Sequence, residues 1–217
     1  MMRRKFTLVL LSIHILSFTT ACQETPPKQV YSPPQREKPT DSLVKLNLSE
    51  TCQSVVNHVK WQSTQDVTYD PSYFTISYPN GDVPANKGVC VDVPIRGLRS
   101  IGIDLQKLVH EDILNAPSAY RISRADKNID HRRCTNLIVY FKRKNQTVPV
   151  SSNEENYKPG DLVFWDIARG HVGVVSDVRV PGTNRFYMIH NICCGPKMED
   201  FLFAAPIVCH VPFEKIK

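Results

Sequence analysis

No two of the seven cysteines in this 217-residue chain are spaced Cys-x-x-Cys. A zinc ribbon and a thioredoxin-type redox motif both need that spacing, so both are excluded. No His-Glu-x-x-His run occurs, which argues against a zincin-type metal hydrolase. No long basic run interleaves with aromatic residues, so nucleic acid is not an expected partner. The early apolar run, Phe6 to about Phe18, is too short to be a bilayer span. No internal repeat is visible, and no cofactor or metal is expected.

What is present begins with an export pattern. Arg3, Arg4 and Lys5 precede the apolar run, and small residues lead to Ala21 and Cys22. A charged start, a short apolar core and a small-residue cleavage site make a secretory signal over residues 1–21. A membrane anchor that stays on the protein is the competing reading of the same residues. Cys22 stands where a bacterial lipoprotein carries its lipidated cysteine, with Thr19 where that pattern usually has Leu. Lipidation at Cys22, with a lipid anchor in a membrane, and simple cleavage after Ala21 both fit. Either places the mature chain in the periplasm or cell envelope.

Residues 22–41 hold Pro26, Pro27, Pro33, Pro34 and Pro39 among polar residues. With almost nothing apolar to bury, they form an extended tether or a plain disordered segment. Residues 42–217 are enough for one well-buried domain. The formal charge is +6, and loss of Arg3, Arg4 and Lys5 with the signal leaves +3. Weak attraction to an anionic polymer such as cell-wall glycan is allowed. An exported chain can form disulfides, but spacing does not fix their connectivity. The adjacent pair Cys193-Cys194 is poorly shaped to bond to itself, so a bond from one of them to Cys52, Cys134 or Cys209 is a possible pairing.

The periodicity predicts a helix from Ser49, its cap, to about Gln62, with Cys52, Val55, Val56 and Val59 as its buried stripe. A short strand is expected over Tyr73–Tyr78, then a turn at Pro79-Asn80-Gly81-Asp82. A second helix is expected from about Cys90. Pro94 is tolerable there only in the first turn, which places Cys90 at the helix start. Asp104 caps a third helix to about Asn115, and Leu137–Phe141 is a further helical patch. Strands follow at Asp161–Asp166, His171–Val178, Arg185–Asn191 and Ala205–Phe213. Helices first and an antiparallel meander second make an α+β fold.

Cys90 is the candidate nucleophile. A helix N-terminus and a nearby imidazole both favour a thiolate. In Gly170-His171-Val172-Gly173, His171 opens a strand, and its glycines leave room for a substrate. His190, on the following strand, can orient the His171 ring, completing nucleophile, base and orienting group.

Pro159-Gly160-Asp161-Leu162-Val163-Phe164-Trp165, followed by His171-Val172-Gly173-Val174-Val175, resembles the strand pair of NlpC-type cell-wall peptidases of the papain-like superfamily. The resemblance implies a papain-like fold with N-terminal helices packed on an antiparallel β-meander. It also implies that His171 is the base and that the third polar residue lies in Ile189-His190-Asn191, with His190 preferred and Asn191 beside it. A tyrosine upstream of the nucleophile, matched by Tyr78, would stand near the oxyanion site. Over a longer stretch, about residue 50 to the C-terminus, the chain resembles the YijF-type family of exported bacterial proteins. Tyr78-Pro79-Asn80-Gly81-Asp82, Gly88-Val89-Cys90, Leu108-Val109-His110-Glu111-Asp112, Asn128-Ile129-Asp130-His131-Arg132-Arg133 and His190-Asn191-Ile192 carry that likeness. The NlpC-type nucleophile motif is Asp-Cys-Ser-Gly, whereas this chain has Val89-Cys90-Val91-Asp92. Asp92 would act locally, with the helix dipole as its simplest partner.

His131, Arg132 and Arg133 would clamp a substrate carboxylate, or else start a helix with solvated arginines. The function these residues imply is hydrolysis of an amide bond in peptidoglycan or its fragments, at a stem peptide or the glycan–peptide link. A non-catalytic envelope-binding protein and an acyltransferase are the alternatives. A metal hydrolase built on His110-Glu111-Asp112 and His131 is a weaker rival, because the spacing is wrong.

Overall fold

The computed structural model describes residues 46–217. The expected export signal (1–21), Cys22 with its lipidation, and the proline-rich segment (22–41) lie outside the described residues. Ser49 caps α1 (Glu50–Gln62), its Oγ accepting the Cys52 amide. Cys52, Val55, Val56 and Val59 form the buried stripe. A two-residue parallel pairing follows, β1 (Thr68–Tyr69) with β2 (Lys87–Gly88). The strand expected over Tyr73–Tyr78 does not form. Its Ile76 amide bonds the Asn128 side chain instead of a ladder, and Phe74 lies under the cations of Lys87 and Arg132.

Four helices continue the chain: α2 (Asp92–Arg99), α3 (Leu105–Asn115), α4 (Pro117–Tyr120) and α5 (Cys134–Arg143). Asp104 caps α3 by accepting the Gln106 amide. The sheet is β3 (Leu162–Trp165), β4 (His171–Arg179), β5 (Phe186–His190), β6 (Lys197–Glu199) and β7 (Ile207–Val211). Its order is β6-β5-β4-β3-β7, and every neighbouring pair is antiparallel. The fold is therefore α+β with an antiparallel sheet.

Alternation along each strand divides the apolar residues between two layers. Leu162, Phe164, Val172, Val174 and Ile189 join the helical residues Val55, Leu98, Val109 and Leu137 in one core. Val163, Trp165, Val175 and Met188 face a smaller core with Tyr157, Phe186 and Leu202. Each large side chain so buried contributes about 1.5–3 kcal/mol. The helices thereby pack on one face of β4 through Val172 and Val174. Among the described residues all six cysteines are free thiols. Cys52, Cys90, Cys134 and Cys209 are buried, and Cys193 and Cys194 are exposed. A bond from Cys193 or Cys194 to a buried cysteine is thus not formed.

Candidate active site

After β2 the chain turns through Val89 and Cys90 into α2. Asp92 closes this turn, its Oδ2 accepting the Val89 amide at 2.7 Å. The helix starts at Asp92 rather than at Cys90, because the Cys90 carbonyl only begins the helical bonding, accepting Val93 N–H at 3.4 Å. Pro94 falls third in the helix, where its missing amide costs nothing. Cys90 therefore stands just ahead of a helix N-terminus and is 7% exposed. Among the described residues no acceptor takes the Cys90 N–H.

Cys90, His171 and His190 come together. His171 is the first residue of β4 and lies opposite Trp165 of β3. His190 ends β5 opposite Gly173, so the two histidines are diagonal neighbours on one face. His171 Nε2 lies 2.8 Å from His190 Nδ1. The nitrogen of His171 left for the thiol is then Nδ1, and the ring stands near enough to Cys90 to lower the thiol pKa. His190 Nε2 faces Glu199 Oε2 of β6 at 3.3 Å. Burial holds the His190 imidazole neutral by pushing its pKa down, against Glu199 and with help from His171. The neighbouring His190 ring pulls the Glu199 carboxyl below its ordinary range. Glu199 lies 3.3 Å from His190 Nε2 without hydrogen-bond geometry; with the His190 proton on Nε2, facing that carboxylate, its Nδ1 accepts from His171 Nε2–H.

Aromatic rings wall the pair. Phe201 lies over His190 with centroids 4.3 Å apart, and Trp165 lies 5.6 Å from His171. Gly173 makes this packing possible, since a Cβ there would sit 3.0 Å from His190 Cβ and 3.2 Å from the Trp165 ring. Gly170, at φ +97°, would place a Cβ 2.8 Å from Cys134 Cβ. The expectation that these glycines leave room for substrate is corrected: the space belongs to the site's own side chains.

The residue that the sequence reading left out of the chemistry is Cys134, the first residue of α5. Its sulfur is 3.7 Å from that of Cys90. The Cys134 S–H bond pushes the Cys90 thiol pKa down most. The His171 ring and the Val172 amide add to this, and together they outweigh burial. Cys134 itself is pushed up, by donating to Cys90 and by burial. Of the two sulfurs, Cys90 is the one with the His171 ring and the Val172 amide beside it, which favours the thiolate there.

A buried ion pair runs parallel to the two sulfurs. Two residues after Cys90, Asp92 accepts Arg132 Nε and an Arg132 terminal nitrogen, each at 2.9 Å. Arg132 stands two residues before Cys134, and both side chains are almost completely buried. The Arg132 fork is filled by Asp92, so the expected carboxylate clamp is corrected to a structural pin between the two cysteine-bearing turns. Asp92 is likewise a partner for Arg132 and Val89 rather than a substrate contact. His131 is buried, and burial together with Arg132 and Arg99 pushes its pKa down to about 3, so it offers no cation. Arg133 is exposed and flanks α5.

Tyr78 stands elsewhere. It packs edge-on against His110, and its phenol is raised by burial and by Glu111 and Asp104. The phenol influenced by this site is that of Tyr69 on β1, raised by burial, then by Cys90, Cys134 and Asp92. Asn191 is buried and donates to the Gly88 carbonyl at 3.3 Å, tying the end of β5 to the strand that leads to Cys90. His110 pairs with Asp130 at 2.8 Å, and Asp112 with Arg143, Lys144 and Tyr120. A cleft of about 620 Å³ lined by Lys158, Asp161 and His210 lies at the other end of β3 from Trp165 and does not include Cys90. There Asp161 serves as a hub, accepting from Lys158 N, Phe213 N and His210.

Glu199 escaped the sequence reading because Lys197-Met198-Glu199 is too short to show strand alternation. Tyr69 and Cys134 carried no positional signal, because only tertiary packing brings them to Cys90.

Residues 56–213 match the family model of a domain of unknown function, DUF1287. The chain belongs to this family. It is also 40% identical over 206 residues to the uncharacterized protein YijF of Escherichia coli (strain K12), covering 92% of this chain and 96% of that protein. No solved structure matches. All the site residues named above from Tyr69 to Glu199 fall inside the family match.

Proposed function

We propose that the chain is a cell-envelope cysteine hydrolase with a papain-like, NlpC-type arrangement, cleaving an amide bond of peptidoglycan. One observation carries the proposal: Cys90, His171, His190 and Glu199 stand in a single line of neighbours, with His171 Nε2 2.8 Å from His190 Nδ1 and His190 Nε2 3.3 Å from Glu199. A helix-start cysteine packed against the first residue of a sheet strand supports the papain-like arrangement. The export pattern and tether in the sequence support the envelope as the place of action and peptidoglycan as the substrate, with Cys22 as a lipid anchor when modified.

In the proposed reaction the Cys90 thiolate attacks the amide carbonyl carbon. The Cys90 N–H, free of acceptors among the described residues, donates to the oxyanion, with Tyr69 rather than Tyr78 as the neighbouring phenol. His171 passes its proton to the leaving amine as the C–N bond breaks, leaving a thioester on Cys90. His171 then takes a proton from water, which attacks the thioester and releases the acid and the thiolate. His190 and Glu199 hold the His171 ring and stabilise its charged form. An amine in place of water at the second stage would make the same site an acyltransferase.

The low exposure of Cys90 favours a second reading, a non-catalytic envelope-binding protein on the same fold. Mass spectrometry of wall fragments after incubation with the pure chain separates the three. Hydrolysis gives a new free carboxyl and amine, transfer gives a new amide, and binding leaves the fragments intact. Intact fragments would overturn the enzymatic proposal.

A further inference from the structure

The proposed mechanism leaves one buried nucleophilic group at the site without a role. Cys134 contributes no atom to the substrate carbonyl, yet its Sγ is 3.7 Å from the reacting sulfur. A hydrophobic contact would need only a small apolar side chain. The geometry is specific to two sulfurs: both lie at the leading ends of helices, and the Asp92–Arg132 pair pins the turns that carry them.

We propose that Cys90 and Cys134 are a reversible redox pair, in which a hydroperoxide oxidises Cys90 and Cys134 then closes a Cys90–Cys134 disulfide that takes the nucleophile out of use. This rests on Cys90 being the thiolate of the site, the same premise as the hydrolase proposal.

The chemistry balances in two steps. The Cys90 thiolate attacks the distal oxygen of the hydroperoxide. An S–O bond forms, the O–O bond breaks, and the leaving alkoxide takes a proton to become an alcohol, or water when the oxidant is hydrogen peroxide. Cys90 is then a sulfenic acid. Cys134 next loses its proton and its sulfur attacks Cys90 Sγ. The S–S bond forms, the S–O bond breaks, and hydroxide leaves with that proton as water. Two thiols have supplied two electrons to one peroxide. An external dithiol reverses the change by thiol–disulfide exchange.

The same contacts order these steps. While Cys90 is a thiolate, Cys134 is held as a thiol by donating to it and by the repulsion between two negative sulfurs. Oxidation of Cys90 to a neutral sulfenic acid removes both effects. The Cys134 thiolate then forms at the first residue of α5, where no side chain caps the helix and its N-terminal amides favour an anion. Cys134 is thus released to attack only after Cys90 has been oxidised. Disulfide formation needs the sulfurs to close from 3.7 Å to about 2.05 Å, within reach of side-chain rotation at two helix starts.

The test uses the full chain, reduced and then exposed to hydrogen peroxide, with peptides mapped by mass spectrometry without reduction. The expected product is a Cys90–Cys134 cross-linked peptide. Iodoacetamide labelling of Cys90 should fall by at least about tenfold on oxidation and return on treatment with a dithiol. In the Cys134→Ala chain the same exposure should drive Cys90 to sulfinic acid, and labelling should not return. Cys90 recovered as sulfinic acid or unmodified in the unsubstituted chain would overturn the proposal, as would dithiol recovery in Cys134→Ala equal to that of the unsubstituted chain. The disulfide readout needs no substrate. A reduced chain that cleaves wall fragments but forms no cross-link refutes the redox pair alone, and a chain that cross-links but cleaves nothing refutes the hydrolase alone.

Discussion

Loss of one partner from the Asp92–Arg132 pair should destabilise the protein far more than any surface ion pair. Both side chains are 3–4% exposed, and two hydrogen bonds of 2.9 Å join them. Asp92→Leu would leave the Arg132 guanidinium buried without a counter-charge and the Val89 amide without its acceptor. Removing one partner of such a pair costs about 3–5 kcal/mol. For a domain of this size that is a fall in Tm of roughly 6–20 °C, at about 2–4 °C per kcal/mol. The double variant Asp92→Leu/Arg132→Met replaces the pair by apolar groups and should recover most of the loss, since the stranded charge is gone. Urea unfolding of the four chains gives the coupling free energy directly. A single-variant cost below about 1 kcal/mol, the range of exposed pairs, would refute the pinning of the two cysteine turns by this pair.

Cys90 should alkylate with iodoacetamide at pH 6, where an ordinary thiol is roughly 0.3% ionised. The sign follows from the depressed pKa: the thiolate persists as pH falls and is lost only in acid, whereas an unperturbed thiol would slow about 75-fold between pH 8 and pH 6. A drop of about 75-fold over that range would count against Cys90 as a resting thiolate. His190→Ala should lower the rate of amide cleavage by about 10²–10⁴ with little change in substrate affinity, as expected for loss of a group supporting the general base. Glu199→Gln should move the pH–rate profile while leaving the fold intact, and an unmoved profile would detach β6 from the mechanism. Gly173→Ala places a Cβ 3.0 Å from His190 Cβ and 3.1 Å from the Ile189 carbonyl, so unfolding free energy should fall by an overpacking cost of about 1–3 kcal/mol and Cys90 labelling should slow.

Local signals made much of the architecture legible. Ser49 and Asp104 act as caps because a short oxygen-bearing side chain reaches the first free amides. Four of the five sheet strands announced themselves through apolar runs and the turns between them. The segment Tyr73–Tyr78 misled because aromatic alternation describes a surface able to pair, while pairing needs a neighbour. The available edge went to Thr68–Tyr69 instead. The histidines were legible because both stand on recognisable strands. Cys134, Tyr69 and Glu199 were not, since each reaches the site from a distant segment with no spacing to mark it. The His131-Arg132-Arg133 run showed its charge but not its partner, because Asp92 lies forty residues away in the chain.

The central claim is that Cys90 performs chemistry on a peptidoglycan amide. Cys90→Ala, matched in Tm to the unsubstituted chain, should be compared with it on purified wall fragments, the products being resolved by mass spectrometry. The unsubstituted chain should release a new amine and carboxyl from a single type of amide bond, and Cys90→Ala should release neither above background. Equal release by the two chains would contradict the account.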